Sequence, residues 1–363
     1  MAASFSIALA NILLGLAFLT WVAALVAGVS VWRWRWILLP VACWVLCVVT
    51  SAIASPDLPF ALRAVDNLLT VLLVPMTLSL LTPVRWRRFV LVLAVSSGAS
   101  SVVALVETLR TGIDLHNRVA GLFSHYMTLS GWTMAALLIL VGHALFGPKR
   151  SDRLWLAPVM AAHGIVLALS MTRNAWLGLA TGLGLAAVVW RPRSLLALPL
   201  IAVMVLPLLP AQVRSRISSV ADLTQHSNRD RLAMARSGLA MIADNPLTGV
   251  GPDRVAECYP HYRLPTAVRR APSHLHSNPI QIAAEYGVPA LVSWLAIVAA
   301  FAAAAWRGLR NQRPPPAPLV SVVMAVTGLM VAGLFEYNWG DAEIWILTLF
   351  VLAVPESRAA EAS

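Results

Sequence analysis

The chain has 363 residues, of which 59% are hydrophobic and only 12% are charged, and its formal net charge at pH 7 is +11. Soluble globular proteins carry roughly 25% charged residues, so this composition excludes an ordinary water-soluble globule. Apolar runs of about 17–25 residues recur along the chain, which favours membrane-spanning helices over the short alternating strands of a β-barrel. The basic residues cluster in short turns between these runs, so the positive charge is attributed to membrane topology and no nucleic-acid partner is expected.

The spaces between charged turns predict an all-α polytopic membrane protein of about eleven transmembrane helices. The predicted spans are Phe5–Val31, Trp36–Ala54, Asn67–Leu81, Phe89–Val106, Met127–Phe146, Leu154–Ser170, Ala175–Trp190, Leu195–Leu209, Val288–Ala305, Leu319–Phe335 and Ala342–Val354. The first apolar stretch is too long for a signal peptide, so it is interpreted as a retained span.

The strongly basic turns are each separated from the next by two spans, so all of them fit on the cytoplasmic side of the membrane. They contain Arg33/Arg35, Arg85/Arg87/Arg88, Lys149/Arg150/Arg153, Arg191/Arg193 and Arg307/Arg310/Arg313. The other connections then face outward, at residues 55–66, 107–126, 171–174, 212–287 and 336–341.

The outward loop from Gln212 to Gly287 divides the membrane domain into N-terminal helices at 1–211, the loop at 212–287, and C-terminal helices with a short tail at 288–363. Loops longer than roughly 12–15 residues are usually either functional or disordered. Here, apolar residues at helical spacing predict an amphipathic helix at Arg231–Ile242, and a second helix is expected from Ser277 to Gly287. We therefore expect a folded cap on the outer membrane face.

Two residues of the outward connections are candidates for chemistry. Arg173 lies in a short turn where the positive-inside rule disfavours a cation, so it indicates either an anionic ligand or a helix-end arginine that reaches the headgroups. His276 begins a predicted helix on the polar side, where a histidine is either structural or a proton carrier. His274 and His276 have no carboxylate or cysteine at supporting spacing, so no metal site is predicted.

Four segments resemble the O-antigen ligase and polymerase superfamily. His276–Gly287 resembles the family signature of a histidine, a small polar residue, nine further residues and a glycine. Asp230–Leu232 together with Met241–Gly251 is similar to the family's arginine, helix and Asn-Pro-Leu-x-Gly-x-Gly block. Thr172–Trp176 resembles its earlier arginine at an outer helix end, and Glu336–Glu343 is also similar.

The resemblance implies a glycosyltransferase at the periplasmic face of the bacterial inner membrane. The family moves a glycan from undecaprenyl pyrophosphate to an acceptor sugar, here the lipid A-core, without a cofactor or a metal. The only other partners expected are membrane lipids.

The chemistry of the candidate side chains agrees with this reaction. Arginine binds two phosphate oxygens at once and stays protonated, so Arg173 and Arg231 are expected to hold the pyrophosphate. Histidine titrates near neutral pH, so His276 is the candidate general base. Further candidates are Arg229, Arg270, Arg118, Asn278 and Glu336.

Three alternatives remain open at this point. A polymerase that extends the glycan repeat would share the architecture of a ligase. A polysaccharide transporter or flippase would carry polar residues deep within its spans, whereas the predicted spans have few. A binding or assembly protein would not need His276 for any chemical step.

Overall fold

A computed structural model describes residues 7–64, 66–112, 118–147, 150–190, 207, 209–218, 226–265 and 267–360. Within these ranges every regular element is a helix, as the hydropathy pattern predicts. The α-helices are α1 (Ile7–Val26), α2 (Leu38–Ala54), α3 (Leu58–Ala64), α4 (Leu73–Leu80), α5 (Pro83–Thr111), α6 (Tyr126–Phe146), α7 (Arg150–Leu169), α8 (Arg173–Trp190), α9 (Ala211–Ser218), α10 (His226–Asp244), α11 (Val255–Tyr262), α12 (Asn278–Tyr286), α13 (Val288–Asn311), α14 (Ala317–Ala332) and α15 (Ala342–Ala353).

Five of the described helices are long and apolar enough to cross a membrane, namely α1, α5, α6, α7 and α13. Shorter apolar helices occur at Leu38–Ala54, Leu68–Leu80 and Ala317–Ala332. The total of about eleven spans therefore stays a prediction. The predicted span Leu195–Leu209 lies outside the described residues, apart from Pro207 and Leu209.

The helices refine the predicted boundaries. The segment predicted as one span at Asn67–Leu81 is an apolar helix over Leu68–Leu80, in which a 3-10 helix at Asp66–Leu72 continues directly into α4. The basic group that begins at Arg85 is not in a turn but in the first turns of α5, because Thr82 caps this helix and Pro83 is its first residue. Proline fits the first helical position, where no partner for its missing N–H is needed.

The centre of the fold consists of α6, α8 and α14, which pack closely on one another. Glycines allow this approach: a Cβ on Gly178 would meet the carbonyl oxygen of Gly328, and a Cβ on Gly142 would meet the backbone of Ser321. Small residues that let helix backbones meet are typical of helix pairs in membranes. The resulting bundle gives the loops at its end a rigid base.

Helices α9 to α12 belong to the predicted loop, and α10, α11 and α12 share a small core of their own. Met234 and Met241 from α10 pack with Tyr259 from α11, Leu275 from the following segment, and Ala284 from α12. The expected helix at Arg231–Ile242 is present and begins five residues earlier, at His226. Helix α11 was not predicted, because its eight residues include Pro260 and give little periodic signal.

The glycine that ends the family-like signature has a specific structural task. Gly287 has a φ of 86°, and a Cβ there would meet the backbone of Leu247 and Thr248. Next to it, the N–H groups of Val250 and Gly251 donate to the backbone of α12 over 2.8 and 3.0 Å. The signature glycine therefore lets the 247–251 turn lie against the end of α12, the helix that begins beside His276.

Candidate functional site

His276 lies immediately before α12 and is paired with a carboxylate from a distant part of the chain. Its backbone φ of 52° is unusual for a residue other than glycine, and such strain clusters at functional sites. Its ring nitrogen Nδ1 lies 2.9 Å from Oε2 of Glu336, in the segment between α14 and α15. Both side chains are buried, with 7% and 5% of their surface exposed. A carboxylate bound to one histidine nitrogen orients the ring and leaves the other nitrogen for proton transfer.

The two partners of His276 determine where its proton resides. Glu336 accepts at Nδ1, and Nη1 of Arg269 lies 3.3 Å from Nε2. A guanidinium can only donate a hydrogen bond and an ionised carboxylate can only accept one. The geometry therefore assigns a neutral imidazole that donates Nδ1–H to Glu336 and carries its lone pair on Nε2. This is the protonation state that a general base needs.

Glu336 is the anionic centre of a cationic cluster. Its oxygens also lie 3.5 Å from Nε2 of His274 and 3.8 Å from Nη2 of Arg231. Burial acts to raise the pKa of Glu336, but the hydrogen bond from His276, the attraction to the two histidines in their protonated forms and the guanidinium of Arg231 outweigh it and lower that pKa. Burial lowers the pKa of His274 to about 4, against the opposing charge of Glu336, so His274 is neutral near pH 7.

An arginine-lined cleft opens beside this cluster. It has a volume of about 220 Å³, and Tyr126, Asp230 and His276 form part of its wall. Five arginines also line it, namely Arg118, Arg173, Arg216, Arg231 and Arg269. Burial, together with the nearby guanidiniums of Arg173, Arg118 and Arg231, lowers the pKa of Arg216 to about 10.

The cleft arginines are held by several elements. Nη2 of Arg173, at the start of α8, donates to Oγ of Ser227 over 2.9 Å and to Oδ1 of Asn228 over 2.8 Å, in the first turn of α10. Arg231 is one turn further along α10, and Arg118 lies over the ring of Tyr126 at 4.3 Å. Residues from separate parts of the sequence thus place positively charged side chains in one cleft.

A larger and mostly apolar cavity of about 430 Å³ adjoins the cleft. The two cavities share Arg173, Asn174, Arg231 and His276. The apolar cavity is otherwise lined mainly by Leu177, Leu232, Ala235, Leu275, Ile280, Leu334 and Phe335. An amphiphile with an anionic head fits this arrangement, because its head can contact the arginines while its chain contacts the apolar wall.

The other sequence candidates lie in different settings. Arg229 and Arg270 are exposed, and neither lines the cleft or the apolar cavity. Asn278 is fully buried: its amide nitrogen donates to Asn338 over 2.7 Å, and its amide oxygen accepts from the backbone of Trp339 over 3.1 Å. Asn278 therefore ties the start of α12 to the segment that carries Glu336.

The cleft residues that were not among the sequence candidates include Tyr126, Arg216 and Arg269. Arg269 is positioned by the buried Asp230, which accepts from its backbone N–H over 3.0 Å and lies 3.3 Å from its Nε atom. The two adjacent arginines at 269 and 270 carry no periodic signal that would distinguish them. Asp230 directly precedes Arg231 in a family-like segment and was the one available indication.

Among the described residues, His274, His276 and Glu336 form a group that could hold a metal ion, with ligand atoms within 4.8 Å of one another. The sequence did not place Glu336 beside the two histidines, because it lies 60 residues further along the chain than His276. Two guanidiniums oppose a dication here, since Arg231 is beside Glu336 and Arg269 is beside His276. The donor set is better suited to proton transfer than to a cation.

The family model described as O-antigen ligase matches residues 156–295. The resemblance to the O-antigen ligase superfamily is confirmed. The match covers Arg173, Arg231, Arg269 and His276, and it ends before Glu336. It indicates a function of the O-antigen ligase or polymerase type. No curated protein matches the chain.

Proposed function

We propose that this protein is an O-antigen ligase-type glycosyltransferase that moves a glycan from undecaprenyl pyrophosphate to a lipid A-core sugar. The observation that carries the proposal is the Glu336-oriented base at the meeting point of an arginine-lined cleft and an apolar cavity. The cleft suits the pyrophosphate, and the apolar cavity suits the first part of the prenyl chain. The family match supports a function of the O-antigen ligase or polymerase type, and a repeat-unit polymerase is the alternative to the ligase that we propose.

The residues suggest one balanced transfer step. Nε2 of His276 takes the proton of the acceptor hydroxyl, whose oxygen forms a bond to the anomeric carbon of the donor glycan. The bond from that carbon to the pyrophosphate oxygen breaks, and undecaprenyl pyrophosphate leaves with the electron pair. Arg173 and Arg231 neutralise the charge that develops on the leaving group. Glu336 stabilises the imidazolium formed at His276.

The placement of this site at the periplasmic face of the inner membrane is part of the proposal. The donor lipid chain and the apolar helices both require the membrane, and the positive-inside pattern puts the basic turns on the cytoplasmic side. The site residues come from segments predicted to face outward, and no nucleotide sugar or metal enters the proposed step.

The decisive experiment replaces His276 in a deletion strain complemented with the gene. We expect H276N to abolish transfer to the lipid A-core while lipid-linked glycan persists, and H261N, at an exposed histidine of α11, to restore transfer. Full transfer by a stably produced H276N protein contradicts the proposed chemistry. In the deletion strain itself, single-repeat glycan on the lipid A-core indicates a polymerase, and lipid-linked glycan retained on the cytoplasmic side indicates a flippase.

A further inference from the structure

We infer that Arg269 is a positioning residue that caps the lone pair of His276 and moves to the pyrophosphate when the donor binds. This inference rests on the proposed function, because it assigns a second role within the same site. Binding of the lipid-linked donor would then free Nε2 of His276 from Arg269, so that this nitrogen can act as a base. Neither the motif resemblance nor the family match assigns a role to Arg269.

The cap follows from the direction of one hydrogen bond. Nη1 of Arg269 lies 3.3 Å from Nε2 of His276, and the guanidinium has no acceptor atom, so its N–H points at the imidazole lone pair. Nδ1 is already engaged with Glu336. An imidazole with both nitrogens engaged in this way cannot accept a proton from an acceptor hydroxyl. His276 must lose the contact with Arg269 before it can act as a base.

The guanidinium is placed to move while its backbone stays in position. Its side chain is 55% exposed, compared with 23% for Arg231, although both line the cleft. The backbone N–H of Arg269 donates to the buried Asp230 over 3.0 Å, and its Nε atom lies 3.3 Å from the same carboxylate, so Nη1 can turn from His276 towards the cleft while this anchor stays in place. The residue lies in the irregular segment between α11 and α12, so the motion requires no change in a helix.

An anionic ligand would provide the driving force for this motion. Among the residues of its wall that the structure describes, five arginines line the cleft and Asp230 is the one carboxylate. The lone pair of a neutral imidazole is a weaker partner for a guanidinium than a phosphate, which accepts two charge-assisted hydrogen bonds in parallel. Arg269 is therefore expected to exchange Nε2 of His276 for phosphate oxygens. The base then becomes available only when the leaving group is in place, which favours binding of the donor before the acceptor.

The test measures how fast His276 reacts with diethyl pyrocarbonate, which acylates an unprotonated imidazole nitrogen. The full-length protein in detergent is labelled, and modification at His276 is quantified by mass spectrometry. R269A and R269M remove the cap but keep the backbone bond to Asp230. R270A removes the same charge from the adjacent exposed residue and is the matched control. Without ligand, we expect several-fold faster labelling in R269A and R269M than in the wild type and R270A.

Inorganic pyrophosphate is then added as the probe for release. At saturation it should raise the wild-type rate to that of R269A, so that the difference between the two proteins disappears. The inference is overturned if R269A and R269M label no faster than R270A. It is also overturned if pyrophosphate slows labelling of His276 in the wild type. The same holds if the wild type with pyrophosphate still labels as slowly, relative to R269A, as it does without it. Because no glycan transfer is measured, these outcomes are independent of the H276N transfer assay, which tests the proposed function.

Discussion

The Oε2 atom of Glu336 lies 2.9 Å from Nδ1 of His276, although the two residues are 60 positions apart in the chain. They meet because Asn278, two residues after His276, bonds to Asn338 and to the backbone of Trp339, two and three residues after Glu336. These buried contacts of Asn278 fix the position of the Glu336 carboxylate relative to the imidazole of His276. The pair therefore belongs to two segments that are held as one unit.

Replacing Glu336 by glutamine should separate catalysis from binding. Gln can still occupy the site, but it has no negative charge to stabilise the imidazolium and can hold the ring in the wrong tautomer. We expect kcat to fall by about 100-fold or more, with a small change in the KM of the donor. The control is E343Q, at a buried carboxyl group of α15 that lines neither cavity. Equal kcat values for E336Q and E343Q in a reconstituted transfer assay would contradict a role for Glu336 in positioning the base.

Replacing the cleft arginines by lysine tests two-point recognition of the pyrophosphate. Lysine keeps the charge but loses the planar fork that binds two oxygens, so R173K and R231K should each raise the KM of the donor by about tenfold. R229K, at an exposed arginine of the same helix as Arg231, is the control and should behave as the wild type. The measurement is the initial rate against donor concentration. Unchanged donor KM values in both lysine variants would indicate arginines that only contact lipid headgroups.

The apolar cavity is expected to recognise the prenyl chain. Ala235 lines this cavity, so A235W should fill part of its volume of about 430 Å³ and raise the KM of a long-chain donor. A donor with a short prenyl chain should be affected less. A240W places the same side chain at an exposed position of α10 outside the cavity and is the matched control. Loss of activity with both donors to the same extent would indicate a general disturbance of α10.

Three of the site residues could be predicted from the sequence, because each lies in a short segment that is informative by itself. His276, Arg173 and Arg231 each lie in a short family-like segment, and the structure brings all three to the boundary between two cavities. The role of Arg269 was not foreseeable, because it lies in an irregular segment with another arginine beside it. The pairing of Glu336 depends on buried amide contacts that have no sequence period.

The helix geometry within the predicted span at 67–81 could not be predicted for a related reason. Hydropathy at 67–81 gives the length of an apolar run but not whether one helix continues through it. Pro75, near the start of α4, has no N–H to donate to the preceding turn, and a 3-10 helix occupies that turn instead. The predicted span is therefore a helix that changes from 3-10 to α geometry within its length. Mean hydropathy carries no signal of this change, whereas the missing N–H of the proline does.

The signature glycine should be replaceable only at a cost in stability. In G287A a Cβ would meet the backbone of Leu247, and the φ of 86° is strained for alanine. We expect the variant to lose roughly 1–3 kcal/mol of stability and to displace α12, with reduced transfer. G184A is the control, since a Cβ there meets nothing within 4 Å. Thermal unfolding in detergent compares the two, and equal midpoints would contradict the backbone argument.

Glu285 is a buried carboxyl group that the proposed mechanism does not use. It lies in α12, where one oxygen accepts from the backbone N–H of Asp253 over 2.6 Å and the other lies 3.3 Å from the hydroxyl of Tyr337. Complete burial, reinforced by the charge of Asp253, raises its pKa to about 8 from an ordinary value of 4.5. At neutral pH the folded protein therefore holds a proton on Glu285 that the unfolded chain releases.

This proton gives stability a definite dependence on pH. Between pH 4.5 and about 8 the unfolded chain binds fewer protons at this position than the folded protein, so the free energy of unfolding falls as the pH rises. E285Q is neutral at every pH and keeps an acceptor for Asp253 and a donor toward Tyr337. It should therefore lose less stability than the wild type between pH 5 and pH 8, by an amount on the order of a few kcal/mol. The exposed-site variant E257Q should retain the wild-type slope. Parallel unfolding midpoints for the wild type and E285Q across this range would show that Glu285 is ionised in the folded protein.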